Sequence, residues 1–445
     1  MANEIYHRSN WGESKPEGFC DMYFDSNATN KLFNRSTYYE NSDATDKILA
    51  NIPNKASIVF TATGYSQDKI GSAIPVDANG DFDLHRESTA TRVNEAGLIE
   101  ASQGNDTPRI DFTTGEGAFL IEPESTNLIT YSEDFSDSSW TKLGAGTGSV
   151  AVVTSNYAVS PDGTQNASRL QCDLNGGTSS SANQSLISDT YSSSSDQTIS
   201  IYVKSNNGQN QTIYFANTQT SGDTIVVTSE CQRFTFTHST STYVLAIGLR
   251  GRSGGGIDDT ADVLIWGSQA EAESFATSYI PTNGSTATRV AERANSSGNS
   301  DLFNDSEGVL YAEIASLAEA VGSNKKFSIS SGATSNSVVF SYRSTNNQIQ
   351  VLVKSGGTTT VNITTIISPA VTNFFKIAIK YKTDDCALFV NGTKVATDTS
   401  AAMPTGLNTL DFDRGDGGQD NIGKVKCLAV FKEALTDTKI TQLTS

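Results

Sequence analysis

IWGSQAEAESFATSYIPTNGSTATRV, residues 265–290, decides how the chain is divided. It opens as a strand and then turns at Pro281 and Gly284, since proline fixes φ and glycine accepts a positive one. It closes on STATRV, a hexapeptide that already stands at 88–93. Each copy reads as a seam between modules. The seam is plainer at the second copy, because the first sits inside a run of short apolar segments. A chain ordered by such seams is modular and β-rich and is not one enzyme fold.

Working outward, 123–290 reads as one sandwich. The runs VAVVT, ASRLQC, TISIYVK, QTIYFAN, RFTFTHS, YVLAIGL and ADVLIWG alternate with polar turns, and no helical period competes. Ile199, Ile201, Val203, Ile213, Phe215, Phe234 and Phe236 supply the β-branched and aromatic inward positions that two packed sheets need. Downstream, 291–307 is polar and Asn/Ser-rich and reads as a linker. A second all-β series over 308–445 includes GVLYAEIA, SVVFSYR, QIQVLVK, FFKIAIKY and KVKCLAVF. A short helix is expected to close it, with Thr436 as N-cap and Ile440 and Leu443 on the buried face.

Upstream, 55–122 carries shorter runs and reads as a small β-rich unit. Residues 1–54 differ from everything after them. Tyr6, Trp11, Phe19, Tyr23, Phe24, Phe33, Tyr38 and Tyr39 recur there without period 2 or 3.6, around one expected short helix over 43–52. A segment too short to bury its own aromatics packs on the next unit or docks on a larger assembly. The residues give an all-β fold class.

A length of 445 residues suits about three domains at roughly 150 residues each. The formal charge of −18 argues against nucleic acid, because a phosphate binder gathers Lys and Arg to release counterions. No apolar run approaches the roughly 18 residues that would span a bilayer, so no membrane insertion is expected. MANEIYHRSN lacks a signal-peptide pattern. Five scattered cysteines, without CxxC or Cys/His spacing, fit buried thiols made in a reducing cytoplasm, although a Cys172–Cys231 disulfide stays open.

Catalytic chemistry finds little footing. His7, His85 and His238 lie in three different segments, with no GxSxG or HExxH beside them. A glycosidase needs two carboxylates about 5–5.5 Å or 6.5–9.5 Å apart, and spacing nominates no such pair among 49 acidic residues. The chain reads as no enzyme, with a polysaccharide depolymerase as the remaining catalytic alternative. The loop 411–421 clusters Asp411, Asp413, Asp416 and Asp420, hard oxygen donors of the kind calcium takes; the competing reading is an exposed acidic turn. Sugar recognition wants an aromatic face with amide, hydroxyl and carboxylate partners, and Trp140 and Tyr191, in or beside expected loops, are the candidates.

NLITYSEDFSDSSWTK, VSPDGTQNASRL, TISIYVKS and WGSQAEAESFATSYIPTNGSTATR resemble a family of tailed-phage virion proteins with a carbohydrate-binding-module-like jelly roll. In that family the segment RVNEAGLIE…PRIDF…FLIEPESTNLI also recurs. FFKIAIKYKTDDCALFVNGTKVAT and VFKEALTDTKITQLT resemble a concanavalin-A-like or laminin-G-like domain. The likeness implies an all-β fold of tandem jelly-roll β-sandwiches behind an irregular N-terminal attachment segment. It implies a non-enzymatic virion surface protein (fibre, spike or decoration), made in the host cytoplasm and presenting its sandwiches to host or environmental glycans. It further implies docking to a phage capsid or tail protein through 1–54 and a homo-oligomer, with a trimer as the common fibre arrangement. A purely architectural part without ligand is the alternative. No cofactor is expected beyond the candidate structural calcium.

Overall fold

The computed structural model describes residues 56–445 apart from 67, 76, 102–103, 194–195, 217–222, 239–243 and 320–324. The attachment segment 1–54 and its expected helix lie outside the described residues. The chain is all-β, with one short helix among the described residues. It divides into two units, and neither is a continuous stretch. An inserted unit holds 90–101 and 124–290; a framing unit holds the described parts of 1–89, 102–123 and 291–445. Both STATRV copies fall where the chain passes between units: the first spans the passage at 89–90, and the second ends at 290.

The inserted unit is a pair of five-stranded antiparallel sheets. One runs Val152–Ala158, Ala167–Asp173, Thr260–Glu271, Gln197–Ser205, Gln232–His238; the other runs Asp223–Val227, Gln211–Ala216, Val244–Arg250, Gln184–Thr190, Thr141–Ala145. Alternation in TISIYVKS sends Ile199, Ile201 and Val203 inward, with Ile199 beside Phe236 and Ile201 beside Phe234. They meet Leu186, Ile213, Phe215, Ile247 and Leu249 of the second sheet in one core. Each such side chain, fully buried, contributes about 1.5–3 kcal/mol.

In the framing unit the expected boundaries dissolve. Ala56–Ser66, read as part of a separate small unit, pairs with Gly423–Phe431 near the end of the chain. Ala118–Ile121 pairs with the start of the same strand, at Gly423 to Val425. Within the expected linker, Arg293–Asn295 pairs with Phe82–His85. All of these belong to one 11-stranded sheet with Glu307–Ala315, Phe375–Lys382, Cys386–Val390 and Thr393–Asp398. The physical reason is burial on two faces. Leu428 and Val430 face one side of Gly423–Phe431, Cys427, Ala429 and Phe431 face the other, and all five are fully buried. A strand buried on both faces holds its backbone N–H and C=O groups away from water, so both of its edges must be paired.

A second sheet, ordered Thr358–Ile366, Gln348–Ser355, Ser337–Tyr342, Lys325–Ser330, Thr409–Asp411, covers one face of the first. Tyr342 of this sheet meets Phe375 of the other with ring centroids 6.3 Å apart. The helix Asp437–Thr444 covers part of the opposite face. Thr436 caps it by accepting from the Lys439 amide, and Ile440 and Leu443 enter the cluster of Val309, Tyr311, Phe389 and Phe431.

Four buried charges join three chain segments of this unit. Glu292 accepts from Arg86 Nη1 at 2.7 Å, from Arg109 Nε at 2.8 Å and from the Glu122 amide at 3.0 Å. Arg109 also reaches Glu122 Oε2 at 2.8 Å. Burial alone would raise the Glu292 carboxyl, but the guanidiniums of Arg109 and Arg86 outweigh it and hold it below the usual range. The residue between two modules in the linear reading is thus the ionic centre of one unit.

Candidate functional site

The structure removes both aromatic candidates from a sugar's reach. Trp140 is 1% exposed; its ring lies 4.9 Å from that of Phe135, and its indole N–H donates to the Tyr131 carbonyl at 2.9 Å. Tyr191, 5% exposed, belongs to the same core. A stacking ring must offer a face to solvent, and both rings are buried in this core.

Nor do the four aspartates of 411–420 converge. Asp411 Oδ1 accepts from the Ser296 amide at 2.6 Å and from Thr409 Oγ1 at 3.0 Å. Asp413 accepts from the Gly415 amide, Asp416 forms a two-point pair with Arg414 at 3.0 and 2.6 Å, and Asp420 meets Arg293 Nε at 3.1 Å. Among the described residues, no group of three or more His, Cys, Asp or Glu side chains is placed to hold a metal ion. Burial and the neighbouring Asp413 push the Asp411 carboxyl up to about 6, against hydrogen bonds from Ser296 and Thr409. The carboxylates are engaged by the protein's own donors, those of Asp413 and Asp416 within the loop and those of Asp411 and Asp420 from outside it.

What the fold does bring together lies at one end of the inserted unit. Ala167–Asp173 pairs with Thr260–Glu271, which pairs with Gln197–Ser205. Their ends therefore line one cleft of about 730 Å³, with Gln171 and Asp173, then Asn207 to Gln211, then Asp258 to Asp262, and with Val150 and Val152 at the sheet edge. Its polar groups are fixed from behind. The Gln211 amide donates to the Asp262 carbonyl at 2.8 Å and accepts from the Asp262 amide at 2.7 Å. Asp262 is clasped by Arg169 at 2.8 and 2.6 Å, which holds its carboxyl below the usual range.

Three further carboxylates are half held. Asp173 accepts from the Asn175 amide at 2.7 Å, Asp258 from the Thr212 amide at 2.8 Å and Asp259 from the Gly176 amide at 2.7 Å. In each, the second oxygen has no protein partner among the described residues. Positioned acceptors of this kind, beside the exposed amide of Gln209 and the exposed Val150 and Val152, can receive hydroxyl groups on a polar, partly apolar ligand. None of these residues was nominated from sequence. The available signal was the amide- and acid-rich composition of NNGQNQ and DDTAD between strands.

A smaller cleft of about 500 Å³ is lined by Glu133, Asp134, Asn166 and the turn Pro281, Thr282, Asn283 of the opening stretch. Glu133 accepts from the Tyr279 hydroxyl at 2.8 Å and from Asn166 Nδ2 at 3.0 Å. Burial raises its pKa; the Tyr279 bond opposes that and Asp162 adds to it. Ser132 and Thr282 lock the turn, the Thr282 amide donating to Ser132 Oγ at 2.8 Å.

Comparison with known proteins gives no matching curated protein. Among solved structures, the chain is similar to the Ruminococcus gnavus IT-sialidase CBM40 bound to α2,3 sialyllactose, with 14% identity, TM-score 0.28, and 34% of this chain and 92% of that one covered. It is similar to domain 4 of AbnA, a GH43 extracellular arabinanase from Geobacillus stearothermophilus in complex with arabinotriose, with 11% identity, TM-score 0.27, and 38% and 82% covered. The heptameric SAP-like pentraxin of Limulus polyphemus gives 12% identity, TM-score 0.24, and 31% and 70% covered. Residues 317–441, which hold the whole second sheet of the framing unit, four strands of its first sheet and the start of the closing helix, match the family model described as the Concanavalin A-like lectin/glucanases superfamily, and this part of the chain is similar to lectin-like β-sandwiches.

Proposed function

We propose that the chain is a non-enzymatic surface protein of a tailed-phage virion, a fibre, spike or decoration protein, whose sandwiches bind host or environmental glycans. The observation that carries glycan binding is the larger cleft of the inserted unit, where Asp173, Asp258 and Asp259 each keep one oxygen for a ligand and Gln209 offers its amide. The lectin-like match over 317–441 supports the same reading. The virion setting is supported by the resemblance of 92–142, 159–170, 198–205 and 266–289 to phage virion proteins. Residues 1–54 then dock the chain to a capsid or tail protein. Single glycan contacts are weak, so a homo-oligomer, a trimer by preference, supplies avidity.

A broad glycan array probed with the oligomeric protein tests the binding claim: reproducible capture of a glycan family is expected, and silence across the array overturns it. Deleting 1–54 should abolish incorporation into particles while the remainder stays soluble and folded; normal incorporation would remove the docking role. One observation favours a purely architectural part instead: both aromatic candidates for stacking, Trp140 and Tyr191, are buried. A silent array is the outcome that reading expects.

A further inference from the structure

The second sheet of the framing unit turns a polar face away from the core, and the loop 413–419 covers part of its strand Lys325–Ser330, with Ser328 Oγ donating to the Asp413 carbonyl at 3.0 Å and the Lys326 amide to the Gln419 carbonyl at 3.1 Å. Phe327 and Ile329 are packed inward, so Lys326, Ser328 and Ser330 point the other way. The register carries that face across three strands, with Lys326 beside Ser341 and Ser341 beside Gln350. In a chain of formal charge −18, what gathers here is positive. Lys326 is 8% exposed, yet its ammonium has no hydrogen-bond or ion-pair partner among the described residues. Arg414, Lys354 and Arg343 act on its charge, opposed by the carboxylate of Asp416, which Arg414 already grips at two points. Burial, then those three cations, draw the Lys326 ammonium below its ordinary pKa.

Donors are left over as well. The Ser341 hydroxyl is buried without a partner, and so is Arg343 Nε, although Arg343 Nη1 donates to Gln350 Oε1 at 2.9 Å. An unpaired buried cation and unmade buried donors each destabilise a fold. Packing does not require them, since a methionine would fill the place of Lys326 without a charge.

We propose that this face of the sheet is a second binding site, for an anionic saccharide whose carboxylate or sulfate is received by Lys326 and Arg343, with Ser341 between Lys326 and Gln350 as a further donor. The saccharide part rests on the glycan-binding reading above; the anion part rests on these residues alone. Two sources share this chemistry, uronate sugars and sulfated sugars, and the test separates them.

Titration calorimetry of the full chain would use an oligogalacturonate, a heparin-derived oligosaccharide, maltohexaose as the neutral control and sodium sulfate as the bare ion. One of the two anionic oligosaccharides is expected to bind and maltohexaose is not. Lys326→Met should weaken binding about thirtyfold or more, as when one member of a hydrogen-bonded charge pair is removed. It should melt no lower than the unmodified protein, and Lys326→Arg should retain most of the affinity. Affinity unchanged by Lys326→Met, equal binding of maltohexaose, or no binding of either anionic probe overturns the proposal. Sodium sulfate binding as tightly as the oligosaccharide would mean an adventitious ion only and also overturns it. A silent glycan array with anionic binding intact would remove the cleft reading and leave this site; cleft binding without anionic binding would do the reverse.

Discussion

Replacing Asp411 by asparagine should stabilise the protein at neutral pH. Its carboxyl is 7% exposed and is pushed from an ordinary 3.8 up to about 6 by burial and by Asp413. A carboxyl raised on folding contributes stability that is complete below the unfolded value of 3.8 and is lost as pH rises through about 6. The gap is about 2 in pH, and each pH unit is worth ~1.4 kcal/mol, so ionising Asp411 at pH 7.5 costs the fold up to about 3 kcal/mol. Asparagine keeps an oxygen for the Ser296 amide and the Thr409 hydroxyl, which now meet Asp411 at 2.6 and 3.0 Å. A gain of about 1–3 kcal/mol is therefore expected at pH 7.5, shrinking towards zero near pH 4.

Urea unfolding of Asp411→Asn and the unmodified protein, followed at both pH values through the transition of the framing unit, measures the difference. A loss of stability at pH 7.5 would refute the reasoning and return Asp411 to the role of a needed anion, as a calcium ligand would be. A gain of equal size at both pH values would show that its charge is not the cause.

Glu292→Ala should be among the most damaging single changes. It strands Arg86 and Arg109, both fully buried, and should cost about 3–5 kcal/mol in the same unfolding assay. Here the pH dependence has the opposite sign to that of Asp411. Glu292 is held below its ordinary value of 4.5, so the stability it adds is present above that value and falls away in acid; Glu292→Gln should lose its disadvantage there. Trp140→Ala should cost about 3–5 kcal/mol by opening a core cavity. It should leave glycan affinity per folded molecule unchanged, and a selective loss of affinity with normal stability would restore Trp140 to a binding role.

How far the sequence could be read follows from what each pattern depends on. The strands of the inserted unit rest on alternation within single runs, and TISIYVKS shows its inward set directly. The closing helix rests on Thr436, Ile440 and Leu443, three positions within one short segment. Strand order is another matter. Asp173, Asn207 and Asp259 share a cleft because their strands are neighbours in one sheet, and no local period encodes that. For the same reason nothing within SIVFTATG encodes that its partner is KVKCLAVF, more than 350 residues away. Trp140 and Tyr191 were misread through their polar neighbours, SDSS and SSSS, which predict loops but not what the ring beside them touches. The STATRV repeat was legible as a marker of passage between units, although not as a sign that the framing unit is assembled from three separate pieces.

The central claim is that the cleft at the ends of Ala167–Asp173, Gln197–Ser205 and Thr260–Glu271 binds glycans. Its most direct test is the affinity of the best glycan from the array for the unmodified chain, for Gln209→Ala and for Asp259→Asn. Gln209 is exposed and no described hydrogen bond uses its side chain, while asparagine at 259 keeps an oxygen for the Gly176 amide, so both variants should melt as the unmodified protein does. The account predicts that each weakens binding about tenfold, the loss of roughly one ligand hydrogen bond. Affinity unchanged in both variants would contradict it.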